Sequence, residues 1–404
     1  MRFKAFALAL GLAGSALAPP PGAAEGLQPS QLVRSLQLVQ DRIAGGDHAA
    51  LAMQRKLLEL ADERLRESDG ALLAEPKEWE AALIYAMSGG NPATIEALMP
   101  DLVAGEGRED LTLGVFNNLR GAQAPAREAL KTVDPLAFSP ELGAYLSLVK
   151  GSLLAGLDAQ AALALLDQAR VLAPGTLVEE AALRRSVALA AEVGDRERFL
   201  RASAQYARRF LFSPYASQFA DDFVSGVVAL REGLDLQEVA DATLPMDAER
   251  REVIFLRIAR RAGVEHAVAL AAFAAQQAKG GSGANKARAA LYAALPAVAS
   301  AEFPAALARL EGIDVSELTQ DDRALLEAAK RVARGLGSEP GPPPPAPAGG
   351  ETAAAGSEPR EDEPQPASAT PEQNPEGDAD IEDERLLAAR EALKAVDALL
   401  GETE

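Results

Sequence analysis

The chain has no cysteine. Disulfides, thiol nucleophiles and cysteine-held metals are therefore excluded, and so is a lipoprotein anchor, which needs a cysteine at the cleavage point. Histidine occurs only at His48 and His266. Neither has a second nitrogen ligand at metal-binding spacing, so both read as surface or cap-region residues. Aromatics make up 4% of the chain, and runs of β-branched or aromatic residues that would signal strands are sparse. No GxGxxG follows a strand and no GxSxG nucleophile elbow occurs. Gly280, Gly281 and Gly283 ahead of Lys286 superficially resemble a phosphate loop. The spacing is wrong and the preceding segment is helical, so they read as a turn between helices. No motif calls for a cofactor or a metal.

What is present is alanine and leucine. Apolar residues are 48% of 404, enough for a sizeable core, and the dominant apolar types are strong helix formers. An all-α fold is the expectation. The net charge is −20. Residues Ser338 to Glu404 hold 17 acidic and 4 basic residues, so this end alone carries −13 of it. A mildly acidic body with an acidic end lacks the positive footprint that nucleic-acid binding requires. A protein partner remains.

Arg2 and Lys4 precede an uncharged, mostly apolar run from Ala5 to Ala18, followed by small residues. This is the three-part pattern of a secretory signal peptide. The run of about 14 residues is too short to span a bilayer, which takes about 20. Pro19 would block cleavage after Ala18, whereas Gly22 and Ala24 supply small residues for cleavage after Ala24. Residues 1–24 are expected to be a leader, and the remainder an exported protein, in an envelope compartment or outside the cell.

Residues 25–337 read as helix after short helix. Leu32, Leu36, Val39 and Ile43 mark one helical face, closed by Gly45 and Gly46, with Asp47 as the next cap. Leu51, Leu58, Ala61 and Leu65 form the stripe of the second helix. Further helices are expected from Lys77 to Ser88, from Glu141 to Ala155 and from Asp158 to Leu172. Thr176 with Glu179 forms a capping box for a helix ending near Gly194, and Asp195 caps its successor. Gly263 marks a further turn, and Thr319 with Asp322 starts the last body helix. Pro214 follows Pro174 by 40 residues and Gly194 follows Gly156 by 38. Such periods, two helices each, suit a degenerate tetratricopeptide- or HEAT-like superhelix.

Residues 338–379 are Pro, Glu, Ala, Ser and Thr, an expected disordered acidic linker. In 380–404, Leu386, Ala389, Leu393, Val396 and Leu400 repeat three and four apart. They form the seam of an amphipathic helix that is a candidate for partner binding.

Seven of the 18 aromatics fall between Phe199 and Phe223. Phe199, Tyr206 and Phe210 form one helical set, and Phe212, Tyr215, Phe219 and Phe223 another, as the core of a hairpin requires. The second reading of this cluster is a binding hot spot. Arg196, Arg198, Arg201, Arg208 and Arg209 should point away from that core. Arg201, Arg208 and Arg209 are thus candidate contacts for an acidic partner, against the plainer reading of a solvated face. Trp79 sits on an apolar stripe with Leu83 and reads as core. Carboxylates are plentiful, but no segment is left over for a compact catalytic domain, so no catalytic residue is assigned.

The blocks PSQLVRSLQLVQDRIAGGDHAALAMQRKLLELADERL, ALIYAMSGGNP, LAPGTLVEEAALRR and RRFLFSPYASQF resemble the MotC motility proteins of alphaproteobacteria related to rhizobia. The likeness covers most of Leu27 to Phe223 and weakens through Ala299. It implies a periplasmic protein required for flagellar rotation, acting on the periplasmic part of MotB, the stator subunit that anchors to peptidoglycan. It transfers no individual contact residue. The alternatives are a general periplasmic scaffold of envelope machinery and a peptidoglycan-cleaving enzyme on a helical frame.

Overall fold

The structure, a computed structural model, describes residues 26–278, 283–298, 300 and 302–337. The leader with Ala24, the linker 338–379 and the helix 380–404 with its Leu386, Ala389, Leu393, Val396 and Leu400 seam lie outside the described residues. Among those described, every regular element is a helix. In order they are α1 (Pro29–Ala44), α2 (Ala50–Arg66), α3 (Gly70–Ala74), α4 (Pro76–Met87), α5 (Pro92–Leu102) and α6 (Glu109–Leu119). Then come α7 (Gln123–Ala129), α8 (Pro140–Leu154), α9 (Ala159–Leu172), α10 (Leu177–Glu192), α11 (Arg196–Arg209) and α12 (Ala216–Ala229). The series closes with α13 (Leu236–Ala242), α14 (Ala248–Val264), α15 (Val268–Gln277), α16 (Gly283–Ala294), α17 (Phe303–Glu311) and α18 (Gln320–Gly337).

Local chemistry sets most of these starts. Asp158, Thr176, Asp195 and Asp247 each accept a backbone N–H three residues on, from Ala161, Glu179, Arg198 and Arg250. Each such cap contributes about 1 kcal/mol. Two expected caps differ. Asp47 does not cap α2; its carboxylate is taken by Arg42, and α2 begins at Ala50 with no side-chain cap. Glu179 reaches back to the Gly175 N–H instead of that of Thr176, so the box is one residue wider.

Neighbouring helices pair as hairpins, α1 with α2, α8 with α9, α10 with α11 and α14 with α15. From α8 onward alternate helices also touch: α8, α10, α12, α14 and α16 run as one row, and α11, α13 and α15 as another. Each helix thereby covers its apolar stripe on both sides, the logic of a stacked array.

The core has two large parts. Leu32, Trp79, Leu83, Tyr85, Leu111 and Val115 belong to the first, and Leu183, Phe199, Tyr206, Phe219, Phe255 and Leu291 to the second. Helix α8 is the wall between them. Leu142, Leu146, Val149 and Leu153 serve the first, and Ala144 serves the second. This is why α8 is apolar nearly all round rather than striped.

Gly263 does not make the expected turn. It lies inside α14, where an added Cβ would sit 2.8 Å from the Tyr292 carbonyl oxygen, so it is a packing glycine. The chain turns at His266 instead, which takes a left-handed φ of 56° while the Ala267 N–H bonds back to Ala262 O.

Candidate protein-binding surface

Helix α2 carries leucines, methionine and alanines on more than one face, yet buries only Ala50, Ala61 and Leu65. Leu57 and Leu58 are half-buried. Leu51, Met53 and Leu60 stand in solvent at 41%, 50% and 36% exposure, and Leu38 on α1 at 54%. Met53 and Leu60, seven residues apart, share one face two turns long. Leu51 was expected on the buried stripe. Ala50 takes the inward position instead, which turns Leu51 outward.

A second exposed apolar element lies in the loop between α11 and α12. Helix α11 ends at Arg209 and α12 starts at Ala216, because Pro214 biases Ser213 away from helical backbone. The aromatic series is therefore interrupted. Phe199, Tyr206, Phe210, Phe219 and Phe223 are buried, with Tyr206 stacked on Phe219 at 4.0 Å and Phe199 on Phe223 at 5.7 Å. Phe212 and Tyr215, expected in that core, are 59% and 41% exposed. Each carries a guanidinium over its ring, Arg250 at 4.4 Å from Phe212 and Arg184 at 5.0 Å from Tyr215. These cation–π contacts hold the rings in place while leaving them accessible.

The two elements meet. His48 Nε2–H donates to the Phe212 carbonyl at 2.9 Å, across 164 residues of sequence. Gly46, at φ +103°, lies so close that an added Cβ would come within 2.5 Å of Phe212 Cβ. The α1–α2 turn is thus seated on the aromatic loop. Asp41 on α1 accepts the Leu177 N–H at the start of α10, and burial, partly offset by that bond, raises its carboxyl above the usual value.

Beneath the loop lie two buried carboxylates of α10. Glu180 accepts from the Tyr206 hydroxyl at 2.8 Å and pairs with Arg184 at 3.2 Å. Burial and then the Glu180 charge push the Tyr206 hydroxyl far above its ordinary value. Glu179 accepts from Gln205 at 2.8 Å and pairs with Arg209 at 2.7 Å. Arg209, proposed from sequence as a partner contact, is therefore engaged in holding α10 to α11. Arg198 bridges Asp167 and Asp195. Arg201 pairs with Glu197 at 2.7 Å, and Arg208 donates to Ala204 O. Both line a groove of ≈ 720 Å³ together with Glu238 and Asp241 of α13, so their charge is largely balanced locally. Trp79 is core as expected, with Nε1–H donating to Leu102 O at 3.0 Å.

Sequence reasoning missed α2's outer face and the Gly46–Phe212 seat. One signal was available: α2 holds more large apolar residues than one buried stripe can use. Nothing local in the sequence points to the seat.

Among the described residues no three His, Cys, Asp or Glu side chains group closely enough to hold a metal ion. None of the described helices is long and apolar enough to cross a membrane. What the arrangement offers is exposed apolar side chains on α2 and, across the α1–α2 turn, two exposed aromatic rings with arginine over each, residue types used at interfaces.

Comparison with known proteins agrees on one family. The family described as "Chemotaxis protein MotC" matches residues 1–404. A protein named "Chemotaxis protein MotC" from Rhizobium meliloti (strain 1021) is 41% identical over 333 residues, 80% of this chain and 77% of that protein. No solved structure matches. A likeness that runs the full length of the chain places it plainly: this protein, helical throughout the regular elements of its described residues, belongs to the MotC family of chemotaxis proteins, which is not an enzyme family.

Proposed function

We propose that the chain works in the periplasm as an accessory protein of the flagellar motor, binding the periplasmic part of the stator subunit MotB and keeping it competent for rotation. It acts by binding and catalyses nothing. The observation that carries this reading is the apolar surface of α2 joined through the Gly46 seat to Phe212 and Tyr215, in a chain of a chemotaxis family. Grouped apolar side chains on a surface are a common mark of interaction sites. The leader-like residues 1–24 support export. The terminal seam Leu386, Ala389, Leu393, Val396 and Leu400 adds a second apolar element toward a partner.

The test is a tagged full-length protein recovered from the periplasmic fraction of its own host, alongside a swimming assay of the deletion strain. Recovery of the stator protein and loss of swimming, restored by the intact gene, are expected. Full motility without the gene defeats the motor assignment. Recovery of a cell-wall synthase in place of the stator supports the general scaffold. Release of soluble muropeptides from purified sacculi contradicts binding without catalysis.

A further inference from the structure

A groove of ≈ 560 Å³ lies where α7, α8 and α9 come together. Its apolar lining is leucine: Leu130 and Leu153 are buried, Leu154 and Leu165 half-buried, and Leu157 at the α8–α9 turn is 66% exposed. Its charged lining is three cations, Arg127, Lys131 and Lys150, against one carboxylate, Glu128. In a chain of net charge −20 this is a local reversal of sign. The carboxylate does little to balance it: the Lys131–Glu128 pair is 3.8 Å apart, with both side chains at least 70% exposed, which contributes little. Lys150 donates to the Val133 carbonyl and not to an acid, and burial lowers its pKa, offset only in part by Asp134. The groove thus combines leucine with a surplus of positive charge. Arg127 and Lys131 stand four residues apart on one wall.

We propose that this groove binds an acidic helix of a partner protein, one that lays leucines on the Leu154–Leu157–Leu165 surface and sets carboxylates against Arg127 and Lys131. A ligand helix with apolar residues at i, i+4 and i+7 suits an apolar groove. Acidic residues one turn apart on its flank suit two cations four residues apart. The groove uses helices separate from α2 and the Phe212 loop, so the proposal does not rest on stator binding.

The test uses the full-length protein and a fluorescein-labelled 20-residue helix carrying leucine at i, i+4 and i+7 and glutamate on its flanks. A twin with lysine in place of glutamate is the control. Saturable anisotropy is expected for the acidic helix alone, weakening as salt rises. The double variant R127E/K131E and, separately, Leu157→Glu should each weaken it about tenfold. Leu157 and Lys131 are exposed, so melting temperatures should hold, and Phe212→Ala should leave this binding unchanged. Absence of saturable binding, equal binding of the lysine twin, or indifference to the groove variants overturns the proposal. So does a chain ended at Gly337 that binds about tenfold more tightly than the full chain, which would assign the groove to the protein's own acidic end. Binding of laurate with the same variant dependence, and none of the helix, assigns it to a small amphiphile instead.

Discussion

The first seven helices and the helices after α8 are built by different means. After α8, locally capped helices stack in two alternating rows around an aromatic centre of Phe199, Tyr206, Phe219 and Phe223. Before α8, helix lengths are uneven, from 5 residues in α3 to 17 in α2, and polar bonds between segments well apart in sequence join them. Ser30 at the start of α1 donates twice to Glu78 of α4, from N at 2.9 Å and from Oγ at 2.6 Å. Tyr85 donates to Asp62 at 2.9 Å, and the Asn91 N–H donates to Tyr85. Arg108 donates to the carbonyls of Leu73 and Ala74. The regular part closes its core by repetition. The pinned part leaves α2 with apolar residues outside. In the regular part the exposed aromatics Phe212 and Tyr215 sit only in the loop that separates α11 from α12.

The contrast can be broken in order of effect. Phe219 is fully buried and stacked with Tyr206 and Phe223, so Phe219→Ala should cost about 3–5 kcal/mol in urea unfolding. Met53→Ala on the exposed face should stay within about 0.5 kcal/mol. Comparable losses for the two would erase the distinction drawn between these regions. Glu78→Ala leaves the Ser30 hydroxyl and N–H without their acceptor. A cost of about 1–3 kcal/mol is expected, with faster hydrogen exchange in α1 while α10 and α11 keep their protection. Uniform acceleration would mean that the bond is not a local pin.

Asp322 offers a pH test in the regular part. Burial pushes its carboxyl up, but bonds from Tyr292 at 2.6 Å, Thr319 at 2.7 Å and Arg288 at 3.0 Å outweigh that. The net effect is to hold it below the ordinary 3.8. A lowered folded-state pKa means stability that is present above the ordinary value and lost as pH falls through the folded one. Asp322→Asn should therefore be less stable than the parent at pH 7, and the gap should narrow below about pH 4. A gap independent of pH would show that the charge of Asp322 is not what matters. An effect of the opposite sign is expected for His266→Gly. Relieving a left-handed residue should add about 1 kcal/mol, and a lower melting temperature would contradict it.

Much of the regular part was legible. Asp158, Thr176 and Asp195 are local signals, and α9, α10 and α11 begin where they say. Short α3, α7 and α13 are too brief to show a period. Phe212 and Tyr215 keep helical spacing, yet they flank Pro214 in the break between α11 and α12 and belong to neither helix. Asp47 has a capping residue's chemistry, but Arg42 five residues away competes for it. Gly263 has a turn residue's chemistry, but Tyr292 claims the space. The candidate surface was the least legible element, because exposure depends on what tertiary packing leaves uncovered. The seven aromatics marked its neighbourhood, and only the fold separates the five that are core from the two that are not.

One titration bears most directly on the whole reading: calorimetric binding of the purified periplasmic part of MotB to the full-length protein and to its F212A/Y215A variant. A loss of at least about tenfold in affinity, with an unchanged melting temperature, is expected. Equal affinity for both proteins would contradict the account.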